Sequence, residues 1–180
     1  MLESIRSNWR DMIRLGLLAG GLTFGMSVIG MVETFSSKEL IHGVLSVGYV
    51  LVFAAPMGIG YLFARNNAAL RRPVLLVNAF LVGLISVLPI ILLVFMVRNI
   101  DLQDLGLINM TTTLGDMLTF NLNGGLGFLL LIILTSISGL LGAAVNIMPD
   151  QIRRPVITGL IWTLGVGLFS EVAITALRRL

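Results

Sequence analysis

The sequence contains no cysteine and only one histidine, His42. Without cysteine the chain has no disulfide framework, no iron–sulfur ligands and no thiol nucleophile. One imidazole cannot form a multi-histidine metal site, so no metal is expected. His42 follows a short polar stretch at the start of an apolar run. We read it as a loop or capping residue, and the alternative is a ligand of haem or of a pigment.

Charge is also scarce, because charged residues make up 12% of the chain and hydrophobic residues 57%, with a mean hydropathy of +1.01. Soluble domains carry about 25% charged residues. So little charge cannot cover a water-exposed surface, and the surface is therefore expected to face a lipid bilayer. Eleven of the twelve basic residues are arginines in short clusters between apolar runs, so nucleic acid is not an expected partner.

Five apolar runs are each long enough to cross the hydrocarbon core of a bilayer, which takes about 20 helical residues. They cover residues 15–32, 43–64, 73–97, 124–147 and 155–177. The pattern predicts an all-α, polytopic membrane helix bundle of about five transmembrane helices over residues 15–177. No small-residue cleavage site follows the first run, which we therefore interpret as a retained helix and not as a signal peptide.

The distribution of basic residues predicts the orientation of this bundle. Five alternating spans place eight basic residues on the side of the N-terminus and four on the other side. Basic residues concentrate in cytoplasmic loops, so we expect a multi-pass protein of the bacterial inner (plasma) membrane with a cytoplasmic N-terminus. Arg178 and Arg179 fall on the outer side. Either the bias tolerates them, or the chain is the front part of a longer protein.

Residues 1–14 are predicted to form an interfacial amphipathic segment. Arg6, Arg10 and Arg14 recur at a helical spacing of four residues, and Trp9 lies on another face of the same helix. Such a helix suits the lipid headgroup layer, where arginines attract phosphate, so bound lipids are expected. The alternative is a basic leader that only sets topology.

The outer loop, residues 98–123, is long for a connection within a helix bundle. Apolar residues again keep helical spacing around Thr111, Thr112 and Thr113. We expect a short helix on the outer surface. It either rests on lipid headgroups, or covers a cavity, or docks a partner.

Small residues mark the expected helix contacts. The pairs Gly16 and Gly20, Gly21 and Gly25, and Gly139 and Ala143 each keep a spacing of four residues. In lipid, close packing of helices at small residues takes the place of the hydrophobic effect. The spacing predicts contacts within this chain or with other membrane subunits, and does not distinguish the two.

Chemistry-bearing residues are few. Glu171 is the only ionisable residue within a predicted span, and it falls near the outer boundary. We read it as a structural or interfacial carboxylate, with an ion or proton site as the alternative. No paired carboxylates, phosphate-binding loop or activated serine occurs, so no catalytic residues are assigned and an enzyme is not expected. The intramembrane hydroxyls are expected to bond their own helix backbone.

Two inner turns share a pattern, Arg71-Arg72-Pro73-Val74 and Arg153-Arg154-Pro155-Val156. The match is either coincidental or the trace of a duplicated helical hairpin. Together with Asn8-Trp9-Arg10-Asp11 and the glycine-rich helices, this layout resembles the N-terminal part of bacterial branched-chain amino-acid ABC-importer permeases. The resemblance implies a permease for small solutes. The inner loops are too short for the ATPase-docking loop of that family, and the resemblance implies no site residues.

Two functions remain open from the sequence. One is a non-catalytic integral membrane subunit that packs within a larger membrane complex, such as a photosynthetic or respiratory assembly. It would need no cofactor of its own, and pigment would enter only through the complex. The alternative is a permease component or fragment of an ABC-type importer for small solutes.

Overall fold

The computed structural model describes residues 9–36, 39–41, 45–100, 111–122, 125–159, 161, 162 and 165. The chain divides into two compact units, Met1–Asn146 and Ile147–Leu180. The elements are α1 Trp9–Val28, α2 Met31–Thr34, β1 Glu39–Ile41, β2 Leu45–Ser46, α3 Val47–Asn66, α4 Arg72–Asn99, α5 Thr112–Leu118 and α6 Gly125–Ile147. The two short strands pair antiparallel. In the second unit residues 150–159 are helical, and Arg153 forms an ion pair with Asp150.

Three described helices, α3, α4 and α6, are long and apolar enough to cross a membrane. They coincide with the predicted spans 43–64, 73–97 and 124–147. The helical, membrane-embedded class predicted from the sequence is therefore confirmed. The predicted span 15–32 falls on α1 and α2, and residues 155–177 lie largely outside the described residues. The count of five spans stays a prediction.

Local sequence explains where several of these helices begin and end. Gly30 separates α1 from α2 with a positive φ of 80°, a conformation that glycine adopts without strain. The Ser46 hydroxyl accepts a hydrogen bond from the Tyr49 amide at the start of α3, and Thr111 caps α5 in the same way. Pro73 occupies the first turn of α4. Amide N–H groups in a first turn have no helical carbonyl to bond, so the N–H that proline lacks is not needed there.

The long helices alternate in direction. Gly16 faces Val82 and Ile85 of α4, and Gly20 faces Ser86 and Pro89, so α1 and α4 run parallel. The helix α3 runs opposite to α1, because Thr23 bonds the carbonyl of Val52 near the start of α3, whereas the beginning of α1 lies beside the end of α3.

The helix α6 also runs opposite to α4. Gly83 lies against Thr135 and Ser136, and the earlier Ala79 lies against the later Gly139. One end of the bundle, which we call the basic end, therefore holds the starts of α1 and α4 and the ends of α3 and α6. The opposite end, with Val28, Val47, Asn99 and α5, is the capped end.

The burial pattern of α6 is reversed relative to that of a water-soluble helix. Its buried face carries mostly small and hydroxyl residues, and its exposed face carries large apolar ones. The buried residues include Gly127, Thr135, Ser138, Gly139, Gly142 and Ala143. The exposed residues include Leu126, Leu129, Ile133, Ile137 and Leu141. A helix in water would bury the leucines, so this arrangement fits a hydrocarbon solvent.

Glycines allow the backbones of α3, α4 and α6 to approach closely. A Cβ placed on Gly139 would lie 2.6 Å from the carbonyl oxygen of Ala79 and 3.0 Å from Cα of Gly83. On the other side of α6, Gly142 meets the backbone of Met57, and Gly60 meets that of Gly139. Because these neighbours are backbone atoms, they cannot rotate away from an added side chain.

We predict that Gly139→Ala destabilises the fold by about 1–3 kcal/mol, the usual cost of overpacking a close contact. The matched control is Gly58→Ala on α3, where no described atom lies within 4 Å of an added Cβ. Unfolding of the purified protein in detergent measures both. Equal stability of the two variants would contradict the close approach of α6 to α4.

Candidate functional site

Three of the predicted site residues, Arg6, His42 and Glu171, lie outside the described residues. The predictions made for them stay predictions. The two other predicted headgroup arginines, Arg10 and Arg14, are exposed in the first turns of α1. In the described part of the chain no three His, Cys, Asp or Glu side chains are grouped as metal ligands would be.

The two glycine pairs of α1 lie on different faces. Gly16 and Gly20 are buried against α4, where a Cβ on Gly20 would lie 2.7 Å from Cδ of Pro89. Gly21 and Gly25 are exposed, and no described atom lies within 4 Å of a Cβ on either. The first pair therefore builds the fold of this chain, and the second pair is open.

The third pair, Gly139 and Ala143, is buried within the bundle. Gly139 contacts the backbone of α4, and Ala143 is fully buried. This pair serves the packing of α6 onto its own chain.

The buried hydroxyls of the spans bond mainly to their own helices, as the sequence predicts. Ser86 Oγ donates to the Gly83 carbonyl at 2.7 Å, and Ser136 Oγ donates to the Ile132 carbonyl at 2.7 Å. Thr135 and Ser138 do the same one turn back along α6. Thr23 is shared between its own helix and the Val52 carbonyl of α3, both at 3.3 Å. These groups are therefore already occupied as donors.

Asn78 is the exception among the buried polar residues. Its side chain is fully buried in α4, and neither its Nδ2 nor its Oδ1 has a hydrogen-bond partner within the described structure. It lies six residues after Arg72, or about 9 Å along the helix. A buried amide without partners costs about 1–3 kcal/mol. Asn78 is not among the predicted site residues, and the signal for it in the sequence is an amide inside the apolar run 73–97.

The capped end is closed by the loop helix α5. Arg98, at the end of α4, donates to Asp116 Oδ1 at 2.9 Å and to Thr119 Oγ1 at 2.7 Å. Thr111 Oγ1 donates to Glu33 Oε1 at 2.9 Å, which joins the start of α5 to α2. The Arg98–Asp116 pair is partly exposed, so it fixes geometry more than it adds stability.

Apolar and aromatic contacts complete this closure. Leu114 and Leu118 of α5 are fully buried or nearly so. The Tyr49 hydroxyl donates to the Met117 carbonyl at 3.0 Å, and its ring stacks on that of Phe120 at 5.2 Å. The short helix predicted in the outer loop is therefore present. Its apolar residues cover the end of their own bundle, so they are not the surface that rests on lipid headgroups.

The basic end carries a cavity of about 540 Å³ between the beginning of α1 and the end of α3. Its lining combines two charged residues, two amides and three leucines: Asp11, Arg14, Leu15, Leu17, Leu18, Asn66 and Asn67. Of these residues only Arg14 is a predicted site residue, because the two walls of the cavity meet only when α1 and α3 pack.

Comparison with known proteins gives no relative: no family model matches the sequence, and neither a curated protein nor a solved structure matches it.

We predict that Asn78→Leu leaves stability unchanged or raises it, because an apolar side chain of similar size removes an unpaired amide from the core. Unfolding in detergent tests this against Ser86→Ala, which removes a hydroxyl that is already bonded. A loss of stability of several kcal/mol in Asn78→Leu would show that the amide is paired in the folded protein.

Proposed function

We propose that this chain is a non-catalytic integral membrane subunit that packs within a larger membrane complex. The proposal rests on how the polar groups of this chain are bonded and where its charged groups lie. The buried hydroxyls of the described spans bond helix backbone, and the charged side chains described in the first unit lie at the two ends of the bundle. Apart from Asn78, few polar groups inside the described bundle remain unbonded and able to bind a polar solute. The proposed role of the chain therefore rests on its packing surfaces.

The open face of α1 is the surface that we assign to a partner helix. Gly21 and Gly25 leave a shallow groove, and Leu18 and Leu22 beside them are half exposed, at 50% and 51%. Small residues flanked by leucines allow a second helix to approach closely in lipid. Because Gly16 and Gly20 on another face of α1 already hold α4, this face can be used without disturbing the fold.

We further propose that the basic end lies in the cytoplasm. Among the described residues of the first unit, five arginines lie at this end, namely Arg10, Arg14, Arg65, Arg71 and Arg72. The capped end has Arg98, which is paired with Asp116. The positive-inside rule counts such residues near the ends of spans and assigns the richer end to the cytoplasm.

A permease component is the second candidate, and Asn78 favours it. A solute path through a bilayer needs polar partners, since each unsatisfied polar group in hydrocarbon costs several kcal/mol. Asn78 offers both a donor and an acceptor within the apolar part of α4. If it serves a solute, Asn78→Leu abolishes uptake by proteoliposomes or cells while assembly stays intact.

Orientation is testable because the natural chain has no cysteine. We expect a cysteine at Ala69, in the turn between α3 and α4, to be shielded from impermeant thiol reagents in intact cells. We expect a cysteine at Leu122, at the capped end, to be labelled. Labelling of Ala69→Cys alone would invert the proposed topology.

Packing against a partner predicts a selective effect of the open glycines. The double variant Gly21→Leu, Gly25→Leu should fold normally and lose its co-purifying membrane subunits, because leucine fills the groove on α1. Gly58→Leu, on an open position of α3, is the control and should keep them. Native purification followed by identification of bound subunits measures the difference. Retention of the same subunits by the double variant would contradict this docking face.

A further inference from the structure

The cavity at the basic end lies next to the open face of α1 and shares Leu18 with it. Its volume of about 540 Å³ falls in the range of small-molecule sites, about 300–1,000 Å³. One wall comes from the first turns of α1 and the other from Asn66 and Asn67, where α3 ends. With the basic end at the cytoplasmic membrane surface, as proposed above, the cavity lies at the depth of the lipid headgroups.

The cavity is lined by one acidic and one basic side chain, whose charges cancel. Asp11 and Arg14 both line it, lie three residues apart on α1 and are both exposed. In the part of the chain that the structure describes, no ion pair joins them. A ligand that fits the pair therefore carries a cation and an anion within one small group. An anionic ligand would satisfy Arg14 and be repelled by Asp11.

The apolar side of the cavity continues along the membrane. Leu17 and Leu18 line it and are 45% and 50% exposed. A polar recess that opens onto a strip of leucines suits a molecule with a charged head and a hydrocarbon tail.

We propose that this cavity binds one zwitterionic phospholipid with a primary amine. Arg14 would bind the phosphate through charge-assisted hydrogen bonds, and Asp11 would accept hydrogen bonds from the ammonium group. A quaternary ammonium headgroup has no N–H to donate to Asp11, and an anionic headgroup has no cation for it. An acyl chain lies along Leu17 and Leu18, beside the groove at Gly21 and Gly25. A free zwitterionic solute would leave that strip unused.

The test uses the full-length protein, purified in detergent and offered an equal mixture of phosphatidylethanolamine, phosphatidylglycerol and phosphatidylcholine. Native mass spectrometry then counts the retained lipids. We expect one phosphatidylethanolamine to be retained in preference to the other two. Retention of phosphatidylglycerol or phosphatidylcholine at the same level would overturn the proposal. This comparison uses the unmutated protein, so it does not depend on whether a variant folds.

Substitutions of Asp11 and Arg14 test the two proposed headgroup contacts separately. Asp11→Asn should lower the preference for phosphatidylethanolamine over phosphatidylglycerol roughly tenfold, the scale of one charge-assisted hydrogen bond. Arg14→Gln should lower retention of both lipids. Arg65→Gln, which removes an exposed arginine near the cavity that does not line it, should leave the wild-type pattern. An unchanged preference in Asp11→Asn would overturn the proposal, as would displacement of the lipid by millimolar phosphoethanolamine or glycine.

Discussion

Close contact between helix backbones is the constraint on which the structure of the first unit depends. In water, burying leucines would drive these helices together, but in lipid a leucine gains little by leaving the hydrocarbon. Dispersion contacts and short approaches remain, and they require residues without bulk at the crossing points. Gly60, Gly83, Gly139 and Gly142 supply these points for α3, α4 and α6. On α6 the large side chains turn outward as a consequence, which reverses the usual pattern of burial for that helix.

Much of this fold could be predicted from the sequence, because hydrophobic runs have to match the thickness of a bilayer. The spans that became α3, α4 and α6 were located to within a few residues. The charge-free run from residue 15 misses the start of α1, which is helical from Trp9. Helical spacing in residues 1–14 predicts a helix there, but as an interfacial segment separate from the first span. Helix formation depends on backbone hydrogen bonds, which continue through charged residues at a membrane surface.

The site was less predictable, because it depends on which helix faces meet. Gly20 and Gly21 are adjacent and belong to equivalent motifs, yet about 100° of helical rotation separates their faces. One is buried against Pro89 and the other is open. Sequence spacing identifies both as contact residues, and only tertiary packing assigns one to the fold and the other to a partner. The cavity at the basic end depends in the same way on α1 meeting the end of α3.

The unpaired amide of Asn78 would be a disadvantage in a subunit that only packs and an advantage in a permease component. A subunit that only packs gains nothing from a buried amide, since a leucine in its place would lower the free energy of the folded state. A permease component retains such a residue because its cost in stability is offset by solute binding. The bonded hydroxyls do not separate the two roles, because a serine that bonds its own helix is compatible with either. The use of this one amide therefore distinguishes the roles more sharply than the glycine contacts, which both roles require.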